Sequence, residues 1–198
     1  ERRRYLAGVL AVAFSGMLIA MQVGLLMGLI GVVSVPIVNS KAQIWVTYPN
    51  TAACDLGRPI PNYWLDRIWS QPGVTAADEY IQGFTYWKTS GGNSELIIVV
   101  GCNLDDDSLG PIAQLTKEQR ALLTEPGAVI LDKKDKKRLE IEHAGQEGEV
   151  SGQRVRVVGF TQNMGSISGP YVVCSLPTAR KMLRLRDDQT TYLLATCA

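Results

Sequence analysis

The sequence predicts an α+β protein in which one transmembrane helix is followed by a two-lobed domain outside the cytoplasm. Two observations lead to this fold class. The first is a long N-terminal stretch, Tyr5–Ser40, that contains no charged side chain. The second is the order of apolar patterns after Lys41, where strand–helix–strand units flank a β-rich insertion at about residues 103–168.

The apolar stretch is long enough to cross a bilayer as a helix. About 20 apolar residues suffice for one span, and residues 5–38 present no polar face that would meet water. Residues 1–4 precede the stretch and carry three arginines, whereas Lys41 is the one basic residue close to its other end. Because positive charge favours the cytoplasmic side, we expect a cytoplasmic flank at residues 1–4 and the later domain outside.

A cleavable signal peptide is the main alternative for this stretch. The apolar region of a signal peptide is ~7–15 residues long and is followed by a small-residue cleavage motif. The apolar stretch here is about twice that length, and no clear Ala-x-Ala motif follows it. An uncleaved helix is therefore favoured, and Pro36 is expected to end it because the residue before a proline avoids the α region.

Small side chains recur along one face of the predicted helix. Gly16, Ala20, Gly24 and Gly28 are spaced four residues apart, and such a stripe lets a second helix backbone approach closely. Gln22 adds a mid-span amide, which is costly in lipid unless another helix offers it a partner. We therefore predict a helix-packing interface on this face, although glycine is also simply common in transmembrane helices.

Residues 41–198 are predicted to form a folded domain, since alternation, β-branched residues and turn signals run through them. The predicted helices are a short one that carries Trp64 and Trp69, one at Thr116–Leu123 with Thr116 as N-cap, and one at Pro177–Leu185. The predicted strands are Gln43–Tyr48, Val74–Lys88, Glu95–Cys102, Ala128–Leu131, Gly148–Ser151, Gln153–Phe160, Tyr171–Ser175 and Thr191–Thr196.

Composition excludes several functions. The formal net charge is +1, so no global field attracts nucleic acid. The chain contains no Gly-Lys dipeptide, so it has no P-loop and cannot itself be a P-loop ATPase. The four cysteines form no Cys-x-x-Cys pair, which argues against a structural zinc site. The sequence does not choose among their possible pairings, but buried core thiols are the favoured interpretation for Cys102, Cys174 and Cys197.

Four features resemble chemical sites, and each has a plainer interpretation. Asp105–Ser108 clusters carboxylates that suit hard cations, but without the EF-hand pattern it is more typical of a solvated turn. The basic run Asp132–Arg138 is more typical of a solvated face than of a phosphate site. His143 is the only histidine and has no nucleophile motif around it, so an exposed loop histidine is the favoured interpretation. The four tryptophans could line a groove or belong to the core. No catalytic, cofactor or metal site is predicted.

The ordered set of segments after the helix resembles one known family. In order and spacing these segments match a Gly-Val entry, a strand with a tryptophan, a turn with two aspartates, a strand ending in aspartate and a glycine-bounded hairpin. The segments are Gln71–Lys88, Ile97–Ser108, Gly127–Glu140, Ser151–Gly165 and Tyr171–Leu183. This pattern is similar to the MacB/FtsX-type ABC-transporter permeases, with residues 41–198 similar to the MacB-like periplasmic core domain and DevC-like exporters as the nearest subgroup.

The resemblance implies a transport role without catalysis in this chain. A separate cytoplasmic ABC ATPase would hydrolyse ATP, and a permease homodimer in the inner membrane would pass that movement to the periplasmic domain. The cargo would be a lipid, glycolipid or hydrophobic small molecule. The domain would dock a periplasmic membrane-fusion adaptor that leads to an outer-membrane channel. Its candidate adaptor interface comprises Trp64, Trp69, Asp105, Asp106 and Asp107.

Two other functions remain open from the sequence. Members of the resembled family continue into further transmembrane helices, and this sequence contains no second apolar run of that length. A single-pass anchored sensor or adaptor domain is therefore the alternative to a permease fragment. An anchored enzyme comes third, because it would need a nucleophile or metal constellation that the sequence does not offer.

Overall fold

The first element, helix α1 (Arg2–Val33), is apolar on all sides in the computed structural model, which describes residues 2–162 and 164–198. Its large side chains, such as Phe14 and Leu25, are exposed. By length and composition Gly8–Val33 can cross a membrane. An element without a polar face is suited to lipid on every side.

The helix ends earlier than residue 38, where the sequence placed its end. Pro36 lies in a separate short helix, α2 (Val35–Val38), rather than at the end of α1. Proline has no N–H to continue the helical ladder, so the helix breaks before it. The chain divides into two compact units at this break, Glu1–Ser34 and Val35–Ala198.

The elements of the second unit follow the predicted order. Its helices are α3 (Trp64–Trp69), α4 (Lys117–Leu123) and α5 (Leu176–Leu183), with 3₁₀ turns at Cys54–Leu56 and Lys133–Asp135. Its strands are β1 (Ile44–Thr47), β2 (Ile60–Pro61), β3 (Val74–Lys88), β4 (Ser94–Cys102), β5 (Ala128–Asp132), β6 (Glu147–Val150), β7 (Gln153–Thr161), β8 (Tyr171–Ser175), β9 (Gln189–Thr190) and β10 (Tyr192–Cys197).

One mixed sheet organises the second unit. Its strand order is β1-β10-β3-β4-β8-β5-β7-β6, while β2 and β9 form a separate short pair. The β4–β8 and β5–β7 pairs are parallel, and the other pairs of the sheet are antiparallel. A sheet-rich domain with helices packed on it confirms the predicted α+β class.

The structure refines the expected division into two lobes. The strands expected in a separate insertion, β5 to β7, pair into the main sheet, because β5 joins β8 through three residue pairs beginning at Val129 and Cys174. Val129 and Cys174 also share one buried cluster. The insertion therefore extends the common sheet and core, and the second unit is one compact body.

The end of the sheet curls back on itself. β6 pairs with β7 and also with β3, where Trp87 lies opposite Val150. Strands β3, β4, β8, β5, β7 and β6 thereby close a small barrel. Gly148 of β6 allows this closure, since an added Cβ would overlap the buried Trp87 ring. The barrel interior includes Ile81, Trp87, Ile97, Val99, Val129, Leu131, Val150, Val155, Val157, Val172 and Cys174.

A second cluster covers the other face of the sheet. Its centre is aromatic: the Trp45 ring meets Tyr80 edge-on at 5.2 Å and Tyr192 at 5.7 Å between centroids. Such edge-to-face pairs contribute beyond their buried area. Trp45 and Trp87 are therefore core residues, as the plainer interpretation of the tryptophans predicted.

Local hydrogen bonds define the ends of the inserted elements. Thr116 caps α4, since its side chain accepts the Gln119 N–H at 3.2 Å and its own N–H donates to the Gln119 side chain at 3.0 Å. At the end of β5, the buried Asp132 carboxylate accepts the N–H groups of Lys134 (2.9 Å) and Met164 (2.7 Å). Both features satisfy backbone donors that would otherwise be unpaired.

All four cysteines are free thiols. Cys102 and Cys174 are buried in the core, as predicted, whereas Cys197 at the end of β10 is only half-buried. Burial raises the pKa of the Cys102 thiol to about 12. A buried thiol with such a pKa behaves as a small apolar side chain.

Candidate functional site

The acidic turn Asp105–Ser108 is attached to α4. The Asp106 carboxylate lies 2.8 Å from Arg120 Nη1 and 3.7 Å from Lys117 Nζ. The positive charges of Lys117 and Arg120 lower the pKa of Asp106. The described residues contain no cluster of histidine, cysteine and carboxylate side chains that would suit a metal ion. The Asp106 carboxylate of this turn is therefore engaged in ion pairs with two side chains of α4.

The same turn holds the chain segment that follows α2. The Leu109 carbonyl accepts both the Lys41 N–H (3.1 Å) and the Ser40 hydroxyl (2.6 Å), and Lys41 Nζ donates to the Asp106 carbonyl at 2.9 Å. The Leu109 N–H in turn donates to the Asp78 carboxylate of β3 at 2.8 Å. We call these five residues the junction network. Through it the segment is bonded to a long central strand of the sheet.

The strand end next to this segment holds it as well. The Thr196 hydroxyl donates to the Lys41 carbonyl at 3.3 Å, and the Gln43 N–H donates to the Ala195 carbonyl at 3.0 Å. Gln114 Nε2 donates to the Asn39 side chain at 3.1 Å. Residues 39–43 are therefore fixed to the loop after β4 and to β10 at the same time.

Helix α3 carries the other predicted interface residues. Trp64 is half-buried, whereas 49% of the Trp69 surface is exposed. The Arg67 guanidinium lies 5.7 Å from the centroid of the exposed Tyr63 ring. Trp69 is the more accessible of the two predicted tryptophans, and only its side chain offers a large free apolar surface on this helix.

The three glycines of the small-residue face of α1 have open space beside them. An added Cβ at Gly16, Gly24 or Gly28 would find nothing within 4 Å. The face therefore has room for a close neighbour, and its use as a packing interface stays a prediction.

A cleft of about 360 Å³ lies beside the β3–β4 hairpin, but it offers no evident chemistry. The Gly91 N–H and the Ser90 hydroxyl donate to the Glu140 carboxylate at 2.7 and 2.8 Å and lower its pKa. No histidine or cysteine is among the described residues that line the cleft. His143 is an exposed residue, as its plainer interpretation predicted.

A buried polar network lies where the sequence analysis placed no site. Gln82 of β3 accepts the Tyr80 hydroxyl at 2.6 Å and donates to the Asp55 carboxylate in the 3₁₀ turn. The Tyr192 hydroxyl donates to the Cys54 carbonyl at 2.6 Å. These bonds fasten the loop after β1 to the sheet. The one sequence signal was an amide, Gln82, within a strand of largely apolar residues.

Asp55→Asn should flatten the pH dependence of stability. Burial raises the pKa of Asp55 and outweighs the hydrogen bond from Gln82 that lowers it. The folded state therefore binds this proton more readily than the unfolded state, and stability falls as pH rises through the raised pKa. Asparagine keeps an oxygen acceptor for Gln82 without the charge. Denaturant unfolding at about pH 4 and about pH 7 should show a smaller difference in the variant.

The exposed Asp66→Asn provides the matched control for this prediction, because it removes a carboxylate from α3 without touching the network. It should be measured at the same two pH values as Asp55→Asn. An Asp55→Asn variant with the wild-type pH dependence would show that the Asp55 carboxyl does not titrate differently on folding.

A charged pair inside the fold was also missed by the sequence analysis. Arg180 of α5 pairs with Glu79 of β3, and the two side chains are only 14% and 17% exposed. Arg180 Nε also donates to the Gln189 carbonyl at 3.0 Å. Burial is the main cause that raises the pKa of Glu79, against the lowering effect of Arg180. Nothing in the sequence distinguishes these two residues from the charged residues that lie at the surface.

The apolar helix and the sheet-rich unit define a class, namely an α+β domain preceded by one helix that is long and apolar enough to cross a membrane. The chain belongs to the family of the MacB-like periplasmic core domain, whose sequence profile matches residues 7–197. The MacB/FtsX-type permease family expected from the sequence is therefore confirmed. No curated protein matches the chain. The finer assignment to DevC-like exporters stays a prediction.

Solved structures support the fold. The extracellular domain of the noncanonic ABC-type transporter YknZ from Gram-positive bacteria is 13% identical, with a TM-score of 0.51 over 77% of this chain and 81% of that one. The periplasmic region of MacB from Actinobacillus actinomycetemcomitans is 10% identical, with a TM-score of 0.51 over 82% and 78%. The chain is thus the MacB-like domain of an ABC-type transporter permease with an apolar helix before it.

Proposed function

We propose that this chain is the permease subunit of an ABC exporter and transmits ATP-driven movement from the membrane to its outer domain. In this proposal a separate cytoplasmic ABC ATPase hydrolyses ATP, and residues 1–198 contain no P-loop of their own. The arginines of residues 1–4 favour a cytoplasmic N-terminus and a periplasmic main domain. The cargo is a lipid, a glycolipid or a hydrophobic small molecule.

The junction network is the observation that supports this proposal best. Ser40 and Lys41 come directly after the two N-terminal helices and are bonded to Leu109, which is bonded to Asp78 of β3. A displacement of this segment is carried into β3 by these bonds. From β3 it spreads to β4, β6 and β10, because β3 pairs with all three.

The proposal includes a homodimer and an adaptor. The small-residue face, Gly16, Ala20, Gly24 and Gly28, would pack against the second permease copy or another membrane helix. The adaptor interface of Trp64, Trp69, Asp105, Asp106 and Asp107 would dock a periplasmic membrane-fusion protein linked to an outer-membrane channel. Asp106 already pairs with Arg120, so Asp105, Asp107 and Trp69 offer the freer groups.

Hydrogen–deuterium exchange on the assembled transporter tests the proposal without a known cargo. A non-hydrolysable ATP analogue should change amide exchange in residues 40–47 and 103–116 of the wild-type permease. In the double variant Ser40→Ala/Lys41→Ala the nucleotide-dependent change in amide exchange should become smaller in residues 103–116. The variant loses the side-chain hydrogen bonds to the Leu109 and Asp106 carbonyls. Nucleotide binding by the ATPase subunit should not change.

Lys137→Ala is the matched control, since it removes an exposed lysine away from the junction network. Its exchange pattern should follow the wild type. If the nucleotide analogue leaves amide exchange in the outer domain of the wild-type assembly unchanged, the proposed transmission of movement is contradicted. Failure of this chain to assemble with any ABC ATPase would favour the alternative of an anchored sensor or adaptor domain.

A further inference from the structure

The turn of the β3–β4 hairpin holds a carboxylate of the chain itself. One oxygen, Glu140 Oε2, accepts both the Gly91 N–H at 2.7 Å and the Ser90 hydroxyl at 2.8 Å. The Gly91 N–H lowers the pKa of Glu140 most, followed by the Ser90 hydroxyl, and the Thr89 hydroxyl lowers it further. Donors of a turn that converge on one oxygen are typical of an anion site. Glu140 occupies the anion position of this turn.

A buried hydroxyl at the same turn has no partner. Thr89 is only 5% exposed, and its Oγ1 has no hydrogen-bond partner in the part of the chain that the structure describes. Thr89 also lines the cleft of about 360 Å³ beside the hairpin. A buried hydroxyl without a hydrogen bond is unfavourable. The turn therefore has the capacity to bind one more acceptor oxygen than Glu140 supplies.

The backbone of Glu140 has a conformation that suits glycine. Its φ is 63° short of a right angle in no sense but left-handed, at +55°. The Ile141 N–H donates to the Lys136 carbonyl at 2.9 Å, and the Glu140 N–H donates to the Lys137 carbonyl at 3.4 Å. This pair of bonds ends a helical turn, and glycine is the usual residue at the position of Glu140. A glutamate there is strained, and release of its carboxylate lets the residue leave the strained conformation.

The space on both sides of Glu140 has the size of a ligand site. The cleft of about 360 Å³ and a second cleft of about 760 Å³ are both lined by Ser90, Glu140, Ile141 and Gln146. Sites for small molecules have volumes in this range. The side chain of Ile141 is 4% exposed and gives both clefts an apolar wall. A small molecule with an apolar body fits beside the turn.

The charges around the larger cleft favour an anionic group. Lys136 and Lys137 line this cleft, and both follow β5 on the same turn. The carboxylates of Glu147 and Glu149 at the smaller cleft already form ion pairs. Opposite charges attract, so the two lysines draw an anion toward the turn that Glu140 occupies.

We propose that the turn at Thr89, Ser90 and Gly91 binds the carboxylate of a small-molecule ligand, and that Glu140 closes this site as an internal competitor. When the ligand replaces Glu140, the Ser90 hydroxyl and the Gly91 N–H donate to the ligand carboxylate and Thr89 gains an acceptor. The ligand body lies along Ile141. Competition lowers the apparent affinity by the fraction of molecules in which the site is open. The site does not depend on the proposed transport function.

Acetate binding to Glu140→Gly tests the site with the simplest carboxylate. Glycine suits the backbone of this position, so the variant frees both donors and should keep the fold. Nuclear magnetic resonance of the full chain in detergent micelles follows the Gly91 amide during titration with acetate, and with chloride at equal ionic strength. Acetate alone should produce a saturable shift, with a dissociation constant at least about tenfold lower than in the wild type.

Three further variants complete the test. Glu142→Ala removes an exposed carboxylate that lines the larger cleft without a bond to the hairpin turn, and it should bind acetate as weakly as the wild type. Ser90→Ala in the Glu140→Gly background removes one donor and should weaken binding about tenfold. Glu140→Gln keeps the side chain without its charge, so its affinity for acetate should lie between those of the wild type and Glu140→Gly.

Two results would overturn the proposal. The first is an equal response of the Gly91 amide to acetate and to chloride in Glu140→Gly. The second is an equal affinity for acetate in the wild type and in Glu140→Gly. The dispersion of the other amide signals reports whether each variant is folded, and the same two comparisons with Glu140→Gln decide the outcome if Glu140→Gly does not fold.

Discussion

Gly148→Ala should lower the free energy of unfolding of the outer domain by about 3 kcal/mol. Gly148 lies in β6 against the indole of Trp87, which is fully buried and pairs across β3 and β6 with Val150. An added methyl group overlaps the ring, so either the indole leaves its position or β6 separates from β3. Both outcomes open the barrel. Chemical denaturation followed by circular dichroism measures the loss.

A control and a second variant isolate the cause. Gly165→Ala adds the same methyl group where nothing lies within 4 Å, so it should change stability by less than about 0.5 kcal/mol. Combining Gly148→Ala with Trp87→Phe makes room for the methyl group. The double variant should then be more stable than the sum of the two single changes predicts. Strict additivity would show that the contact with Trp87 does not limit this position.

Arg180→Met should cost about 3 kcal/mol of unfolding free energy at neutral pH. Methionine fills most of the volume but leaves the Glu79 carboxylate without its charged partner in a site only 17% exposed. It also removes the donor to the Gln189 carbonyl, so α5 loses its bonds to β3 and β9 together. Urea unfolding of the variant gives the size of the loss.

The cost of Arg180→Met should shrink in acid. Burial raises the pKa of Glu79, and Arg180 opposes this rise. Without Arg180 the pKa is higher still, so the folded variant protonates Glu79 readily as pH falls and no longer buries a charge. We therefore expect a smaller difference from wild type at about pH 4 than at about pH 7. A pH-independent cost would assign the loss to packing and to the missing hydrogen bond with the Gln189 carbonyl.

Two further variants complete this comparison. Arg180→Met/Glu79→Gln removes both charges and should recover part of the stability that the single variant loses. Arg186→Met breaks an ion pair with Asp188 whose side chains are 72% and 63% exposed. That change should cost less than about 0.5 kcal/mol. An equal loss from both arginine variants would contradict the special role of the buried pair.

Much of the secondary structure could be predicted because the local signals are strong. Strands β3 and β8 have the predicted bounds, Val74–Lys88 and Tyr171–Ser175, since turn residues border each run of β-forming side chains. The N-cap of α4 at Thr116 was also predicted, because a threonine directly before a helical pattern is a local signal. These features depend on residues close together in the chain.

The arrangement of the strands could not be predicted in the same way. Whether β5 to β7 form their own lobe or join β8 depends on pairings between distant segments, and the sequence analysis expected a separate lobe. The closure of β6 on β3 depends on one contact between Gly148 and Trp87. This contact could not be predicted from Gly148 itself, because a glycine in a sequence is explained just as well by a turn.

The candidate site shows the same limit. The acidic turn at Asp105–Ser108 was noticed as a cluster of carboxylates, but its role depends on Arg120, Lys117 and Lys41, which are distant in sequence. Asp55 and Gln82 went unnoticed, because a lone carboxylate and a lone amide carry no motif. The spacing of residues in the sequence indicates which side chains could interact. The folded structure is needed to show which of them are in contact.

The pairing of β1 with β10 has a consequence for biosynthesis. Ile44 emerges early during synthesis, yet its partner is Ala195, near the other end of the domain. Until β10 has been made and moved across the membrane, β1 has an unpaired edge and the Trp45 ring lacks Tyr192. Such distant pairings slow folding, so this domain completes its sheet only after translocation, and a chaperone that shields exposed strand edges would find its substrate in that interval.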